Sequence, residues 1–411
     1  MAYTAGVTAS NVSPSSSTEL DALIIGGGVA GLWLLHKLTA RGYDAALLSA
    51  GPLGEGQSLA AQGIIHSGLK YGQRTDRQAL RDGLKTMPDR WRAALAGKPQ
   101  PQDPDLMAVR VLSDGCYLFA GRSPLDRLRQ RIAHRALAGE AARVEPSAWA
   151  AHFRGLGFAG EVVRLNEPVV DARSLIDALH ALLASRCYQL RVEADALQIA
   201  ATGVELTMPG HRIRATRLIL AAGTGNAELL TALGPKTPPD RGVRRPLHQV
   251  VVHHPELPPL YGHCLTGARR AEPRLTITSH PRGDGASDWY LGGRLATTGS
   301  ERDAAKQLAH ARRELRACLP GFPWDRAEFT SVRVDRAEPA QRPGSRAAVF
   351  DEGPLIWGWP VKLTLAPDFA DLVCEKLAAS TAGTGARIPG EVGQRLPLPA
   401  AVAGQLTWQP S

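Results

Sequence analysis

The chain has 411 residues, 44% of them hydrophobic and 21% charged, with a formal net charge of +9. Its length exceeds a usual single domain, so two domains sharing one site are expected, and no apolar segment approaches the length needed to cross a bilayer. Only eight of the 48 basic residues are lysine and the arginines are dispersed, which argues against a nucleic-acid partner. The five cysteines (Cys116, Cys187, Cys264, Cys318 and Cys374) are scattered and lack C-x-x-C spacing. That excludes a disulfide framework and a zinc site, predicts no metal, and points to a reducing cytoplasm.

Residues 1–19 are polar and rich in Ser, Thr and Ala, without the basic start and apolar stretch of a signal peptide; they read as a disordered tail. Ala22-Leu23-Ile24-Ile25 then predicts a strand that runs into Gly26-Gly27-Gly28-Val29-Ala30-Gly31, a G-x-G-x-x-G. Gly26 permits the tight turn and Gly28 the approach of a pyrophosphate. Gly31 permits close packing of the next helix, whose first N–H groups face the phosphates. That helix is expected over Val29–Arg41, with Leu34, Leu35 and Leu38 on its apolar face, Gly42 ending it and Ala45–Leu48 supplying the second strand. The strand–glycines–helix context makes this a dinucleotide site. The acid that ordinarily binds the ribose falls instead on Ser49, which can hydrogen-bond but without charge assistance. Glu55, in the following loop, is a substitute. The departure weakens the case for a nicotinamide nucleotide more than that for a flavin.

A glycine-rich loop, Gly51–Gly56, leads to Ser58–Tyr71. Helices are expected over Arg77–Ala96 and Leu125–Leu137, separated by the loop Lys98–Pro104 and a strand at Leu106–Leu112. Asn166–Asp171 precedes an amphipathic helix, Ser174–Arg186. Short strands follow at Leu190–Val192 and Val204–Met208, then an apolar one, Arg217–Gly223. Arg241–Leu295 reads as an antiparallel sheet with long loops. A helix at Glu301–Leu319 and further strands lead to Lys362-Leu363-Thr364 and a last helix, Pro367–Ala379. Residues 383–411 read as a loose tail.

Four segments occur in a telling order: the glycine turn, Gly63-Ile64-Ile65-His66-Ser67-Gly68-Leu69-Lys70-Tyr71, the strand end Ala221-Ala222-Gly223, and Lys362-Leu363-Thr364. In this the chain resembles the D-amino-acid-oxidase-like superfamily of FAD-dependent oxidoreductases. It is most similar to the branch of flavin-linked glycerol-3-phosphate and L-2-hydroxyglutarate dehydrogenases, and the resemblance spans about residues 20 to 380. It implies an α/β fold: a Rossmann-like FAD-binding domain (20–75, 160–235 and 334–382) interleaved with an α+β substrate domain (76–159 and 236–333) built on a largely antiparallel sheet.

The resemblance also implies FAD as cofactor, held by Gly26, Gly28, Gly31, Ser49, Ser58, Gly63, His66, Ala222, Gly223, Lys362, Leu363 and Thr364. Hydride from a C–H beside a hydroxyl or amino group would pass to flavin N5. The substrate would be a small anion, whether a 2-hydroxy acid, a polyol phosphate or an amino acid, with oxygen or another molecule as electron acceptor. Lys362, ahead of a helix N-terminus, suits the charge a reduced flavin gains. His66 lies where relatives bring the chain against the flavin; some amine-oxidising relatives tether the flavin there, the dehydrogenase branch does not, and a non-covalent flavin is expected. Arg333 and Arg336 are rival clamps for the substrate's anionic group, with Arg294 a third. His263, His248 and His280 are candidate bases, and Tyr261 and Tyr290 candidate pocket walls. A nicotinamide-dependent dehydrogenase and a non-redox flavin-binding protein are the rival readings.

Overall fold

A computed structural model of the chain describes residues 16–67, 84–121, 141–149, 151–233, 240–265, 272–340, 346–381, 396–406 and 408. The expected helix at Leu125–Leu137, the segment Gly68–Tyr71 and the first part of the helix from Arg77 lie outside them. So do residues 1–15 and 383–395 of the expected tails.

The first sheet begins with β1 (Ser16–Ile25), α1 (Val29–Ala40) and β2 (Ala45–Ser49). Strand β1 starts inside the stretch expected to be disordered. Thr18 Oγ1 lies 3.0 Å from His211 Nε2 and Ser16 Oγ 2.7 Å from His211 Nδ1, which pins the strand's first turn of pleat. Helix α1 is apolar nearly all round, with Val29 through Leu35 and Leu38 buried, as a helix sandwiched in a core must be.

The remaining elements, in chain order, are α2 (Met87–Leu95), β3 (Cys116–Gly121), β4 (Gly160–Leu165), α3 (Ala172–Leu183), β5 (Cys187–Gln189) and β6 (His211–Leu220). They continue with β7 (Val243–His253), β8 (Gly262–Cys264), β9 (Leu275–Pro281), β10 (Ser287–Gly292) and α4 (Ala304–Cys318). The chain then forms β11 (Glu328–Glu338), β12 (Ala348–Glu352), β13 (Leu355–Trp359) and α5 (Ala366–Thr381).

The first sheet has the order β12-β13-β6-β1-β2-β5, parallel throughout except for β12 against β13. A hairpin of Leu197–Ala200 and Gly203–Met208 is added antiparallel to β6. One face is covered by α1, α3 and α5, the other by the hairpin with Trp357 and Trp359. Burial on both faces explains the near-continuous apolar runs of β1, β2 and β13. The second sheet has the order β11-β7-β10-β9-β8-β3-β4, then Ala141–Arg143. Its pairings are antiparallel apart from β8 against β3. Helix α4, capped by Asp303 accepting from Lys306 N at 2.8 Å, packs Ala311, Leu315 and Cys318 on one face of this sheet. The other face is left toward the first sheet.

Several expectations are corrected. The strand expected at Leu190–Val192 is Cys187–Gln189, because Cys187 and Tyr188 are the buried residues that pair with Leu47 and Leu48. Of Leu106–Leu112 only Val111 and Leu112 enter a strand, while Leu106 and Val109 are buried without one. Residues 160–165 pair antiparallel with β3 in the second sheet. The C-terminal tail is not loose over 396–406. Gln189 N donates to Pro399 O at 2.8 Å, Leu53 N to Val402 O at 2.7 Å and Gly404 N to Leu53 O at 2.8 Å. Leu396, Ala401 and Leu406 are buried, and Trp408 stacks on Tyr290 with ring centroids 4.3 Å apart. Gly and Pro in this segment mark an extended strap, not disorder.

Behind α1 lies a buried ionic cluster. Asp103 accepts from Arg90 Nε at 2.6 Å, Arg90 Nη2 at 2.7 Å and Lys37 Nζ at 3.1 Å; Arg90 Nη1 also reaches Asp371 at 2.6 Å, and Lys37 contacts Asp371. Two cations and two carboxylates thereby tie α1, α2 and α5 together. Burial would raise the pKa of Asp371, but hydrogen bonds from Arg90 and Lys37 override it and hold the carboxyl below its ordinary value. Its contribution is therefore present above the unfolded-state pKa and is lost as pH falls through the lowered one. Asp103→Asn leaves two cations facing one carboxylate. It is expected to lower the unfolding free energy by about 3–5 kcal/mol, read as a shift of the urea midpoint, whereas exchange of the exposed Asp89 leaves the midpoint within experimental error.

Candidate active site

The glycine turn is built by close approach. Gly26 has φ +131°, and a Cβ there would lie 2.3 Å from Ala221 O; a Cβ on Gly31 would lie 2.0 Å from Gly26 O. Both positions therefore require glycine, and the start of α1 is pressed against the end of β1. Gly28 differs: its φ is −79°, and a Cβ would meet only Ser58 Oγ, at 2.9 Å. Ser58 Oγ accepts from Val29 N at 3.1 Å, capping one of the helix's first N–H groups. No acidic residue stands in the first turn of α1, so the positive end of the helix dipole is left for an anion. This end opens into a cleft of about 1220 Å³.

At the tip of β2, Ser49 Oγ donates to Gly51 O at 2.8 Å. A Cβ on Gly51 would lie 2.3 Å from Glu55 Oε2, so the chain brings a carboxylate back over the turn where the strand itself supplies only a serine. Ala222 and Gly223 line the cleft from the end of β6. Ala222 N donates to Asn226 Oδ1 at 2.8 Å, and Asn226 Nδ2 donates to Gly358 O at 3.0 Å. Asn226 is fully buried and joins two strand ends; sequence reasoning missed it.

Gly63 has φ +71°, and a Cβ would lie 1.9 Å from Val170 O. The backbone from Gly63 to Ile65 runs beside residues 168–170, with Val170 N donating to Gly63 O at 3.0 Å and Ile65 N to Pro168 O at 2.9 Å. His66 N then donates to the buried Thr364 Oγ1 at 2.9 Å, tying this segment to the Lys362 turn. Lys362 caps the 3₁₀ turn Leu363–Leu365 that leads into α5. The preceding Val361 has φ +64°, a conformation a β-branched residue adopts only under constraint. Lys362 and Leu363 line the cleft; Thr364 sits behind them. The ring Nδ1 of His66 lies 3.2 Å from Glu167 Oε2, and Glu167 Oε1 accepts from Ser67 N and Ser67 Oγ, each at 2.8 Å. His263 packs behind His66 with ring centroids 5.5 Å apart and its Nδ1 2.9 Å from Thr276 Oγ1. It is fully buried and does not reach the cleft wall.

The second sheet closes the cleft. Gln62 Nε2 donates to Thr276 O at 3.0 Å and Tyr290 O at 2.9 Å, fastening the loop before His66 to β9 and β10. Tyr290 lies 2.6 Å from Gln249 Oε1; burial pushes its pKa up, so it stays a hydroxyl donor. The last part of β11, Val334 to Glu338, lines the cleft, Arg336 included. Arg333 points to the other side, where it donates to Ser300 O at 3.2 Å and to Arg302 O. Arg336 Nη2 is 3.2 Å from Glu338 Oε1, while its Nε is buried with no hydrogen-bond partner among the described residues. Arg294, His248, His280, Tyr261 and Tyr290 are not on the cleft wall. His248 holds Gly299 O at 3.1 Å and His280 Thr278 Oγ1 at 3.3 Å; burial lowers the pKa of both. Both are buried within the second sheet.

With this geometry in hand, residues 21–366 match the family described as FAD dependent oxidoreductase. A probable FAD-dependent oxidoreductase of Pseudomonas aeruginosa is 42% identical over 362 residues, which cover 87% of this chain and 90% of that protein. The crystal structure of an FAD dependent oxidoreductase from Pseudomonas aeruginosa superposes with a TM-score of 0.78 at 38% identity, covering 95% of this chain and 98% of the other. An L-α-glycerophosphate oxidase from Mycoplasma pneumoniae, solved reduced and with FAD bound, has the same fold. Its TM-score is 0.65 at 14% identity, over 88% of this chain and 95% of that one. Among the described residues no helix is long and apolar enough to cross a membrane.

The contrast between Gly28 and Gly31 is testable. Gly28→Val has a permitted backbone and meets only the rotatable hydroxyl of Ser58, so the protein is expected to fold with native circular dichroism but to purify with less than a tenth of the wild-type flavin absorbance. Gly31→Val clashes with backbone and is expected to yield little soluble protein. Full flavin content in Gly28→Val would mean that the phosphates lie elsewhere.

Proposed function

We propose that this chain, which belongs to the DAO family of FAD-dependent oxidoreductases, oxidises a small anionic substrate at a C–H beside a hydroxyl or amino group. The substrate would be a 2-hydroxy acid, a polyol phosphate or an amino acid. The observation that carries this reading is the shared wall of one cleft: the glycine turn, His66, Lys362 and Arg336 all face the same space. In this reading the first sheet carries the cofactor and the second sheet, with α4 behind it, carries the substrate.

FAD, when bound, supplies the acceptor for the two electrons leaving the substrate. The chain's own groups divide the rest. Gly28 and the first N–H groups of α1 receive the pyrophosphate, and Ser49 with Glu55 receives the ribose hydroxyls. Lys362, standing ahead of the Leu363–Leu365 turn and α5, puts an ammonium and a helix N-terminus behind whatever negative charge the flavin ring gains. His66 is the base that takes the proton from the substrate's hydroxyl or amino group. Arg336 holds the substrate's anionic group: it lines the cleft, its Nη2 is 3.2 Å from Glu338 Oε1, and a guanidinium is suited to a two-point contact with a carboxylate or phosphate. Arg333, engaged by loop carbonyls on the far face, is assigned a structural role.

The assignments separate experimentally. Lys362→Met keeps most of the stem and removes the charge, so the flavin midpoint potential is expected to fall. A loss of about 1.4 kcal/mol of differential stabilisation appears as about a tenfold change in the reduction equilibrium. Arg336→Met is expected to leave the potential unchanged and to raise KM at least tenfold. The measurements are spectroelectrochemistry and anaerobic bleaching by L-2-hydroxyglutarate, sn-glycerol 3-phosphate and glycine. An Arg336→Met protein with an altered potential and an unaltered KM would exchange the two roles.

A further inference from the structure

The proposed base is held by a carboxylate that no motif identified. Glu167 precedes α3 by a few residues, and its side chain is fully buried. One of its oxygens, Oε1, is fixed by two donors of Ser67, the backbone N and the hydroxyl, each at 2.8 Å; the other, Oε2, faces His66 Nδ1 at 3.2 Å. The main chain on both sides is equally fixed: Ile65 N donates to Pro168 O at 2.9 Å, and His66 N to Thr364 Oγ1 at 2.9 Å. The carboxylate is thus held from one side by Ser67 and faces the ring from the other. A buried carboxylate facing one ring nitrogen selects the tautomer that donates to it, and the other nitrogen becomes the acceptor.

We propose that Glu167 is the positioning residue of this site: it fixes His66 as the Nδ1–H tautomer and leaves Nε2 as the ring's acceptor. The proposal rests on the reading of His66 as the base. The proton that leaves the substrate's hydroxyl or amino group arrives on Nε2, the Nδ1–H stays in place, and no proton passes to Glu167. Glu167 acts by geometry and by stabilising the imidazolium that forms. Among the described residues, Glu167, from the segment before α3, and His263, from β8, face His66, and Lys362 shares the cleft. Ser67 is the reason the carboxylate is aimed correctly, since its two donors leave only Oε2 to meet the ring. The three side chains His66, Glu167 and His263 also bring ligand-type atoms within 4.8 Å of one another, so the test includes a metal arm.

The experiment is ¹⁵N NMR of histidine-labelled holoenzyme, wild type and Glu167→Gln, with His66→Gln used to assign the signal. In the wild type, neutral His66 is expected as the Nδ1–H tautomer. In Glu167→Gln the amide oxygen still accepts from Ser67, and the amide N–H₂ faces Nδ1. The tautomer is then expected to invert to Nε2–H, and the ring's proton affinity to fall at least tenfold because its anionic neighbour is gone. Flavin content is expected to be unchanged. The rate of anaerobic bleaching, by whichever of L-2-hydroxyglutarate, sn-glycerol 3-phosphate and glycine reduces the wild type, is expected to fall about 10²–10⁴-fold. The acid limb of its pH profile is expected to move to lower pH.

An Nε2–H tautomer in the wild type overturns the proposal, even if Glu167→Gln cannot be purified. So does a Glu167→Gln protein with the wild-type tautomer and pH limb, which would make Glu167 a structural clamp for Ser67. Stoichiometric zinc in the purified holoenzyme, lost in Glu167→Gln, overturns it by making Glu167 a ligand. Failure of the base reading is a separate result: His66→Gln would retain the wild-type bleaching rate while the wild-type tautomer remained Nδ1–H.

Discussion

The site depends on backbone meeting backbone where no side chain fits. A Cβ on Gly31 would sit 2.0 Å from Gly26 O, one on Gly26 2.3 Å from Ala221 O, and one on Gly63 1.9 Å from Val170 O. Each contact joins segments that the sheet topology leaves as neighbours: the start of α1 with the end of β1, that same end with β6, and the segment leading to His66 with the chain before α3. The first two bring the positive end of α1 to the carboxyl edge of a parallel sheet, where open α/β folds bind their ligands. The third sets His66 beside Glu167. Loss of one glycine would therefore displace an element, not merely crowd a pocket.

Close approach creates buried polar groups that must be satisfied, and single side chains do this at the junctions. Asn226 serves three backbone groups at the ends of β6 and β13. Gln62 donates to two carbonyls of the second sheet. Thr364 accepts from His66 N through its hydroxyl while its carbonyl accepts from Trp91 Nε1 at 3.0 Å. Each bond contributes little alone, but an unmet partner would cost about 1–3 kcal/mol. These residues sit between the elements that line the cleft, so the same bonds that stabilise the fold also fix distances within the site. The C-terminal strap adds a further tie, pairing with β5 and with the loop at Leu53 before Trp408 reaches Tyr290 of the second sheet.

The parts legible in the sequence were those written as local pattern. The glycine turn, the first β-α-β unit and the last helix depend on spacing within a few residues; α1, β2 and the last helix end within one or two residues of expectation, while β1 begins six residues earlier. Asn226, Gln62 and Glu167 are not legible because each is a lone polar residue with a partner far away in sequence, Gly358 for Asn226; for Glu167 the separation from His66 is 101 residues. The one available signal was Glu167 itself, a charged residue set between Leu165 and Pro168-Val169-Val170, where burial demands a partner. The strap's Gly and Pro suggest a loose tail by composition, but Leu396, Ala401 and Leu406 recur as buried anchors.

The arginines show what a strand's period decides. Arg333 and Arg336 lie three residues apart, an odd separation, so on one strand they must point to opposite faces. A sequence motif can nominate both, but only one can see the cleft. The face is set by the neighbours: Val332 packs with Val251 and Tyr290 on the side toward the first sheet, and Arg336 shares its parity. Arg333 shares that of His248, its register partner on β7, on the side where loop 300–302 offers carbonyls. In this register of β11 and β7, Arg336 is on the cleft wall and Arg333 is not. A one-residue slip would exchange them and carry Val332 out of its apolar cluster. The hydrophobic pattern of β11 thus holds in place the same register that presents Arg336 to the cleft.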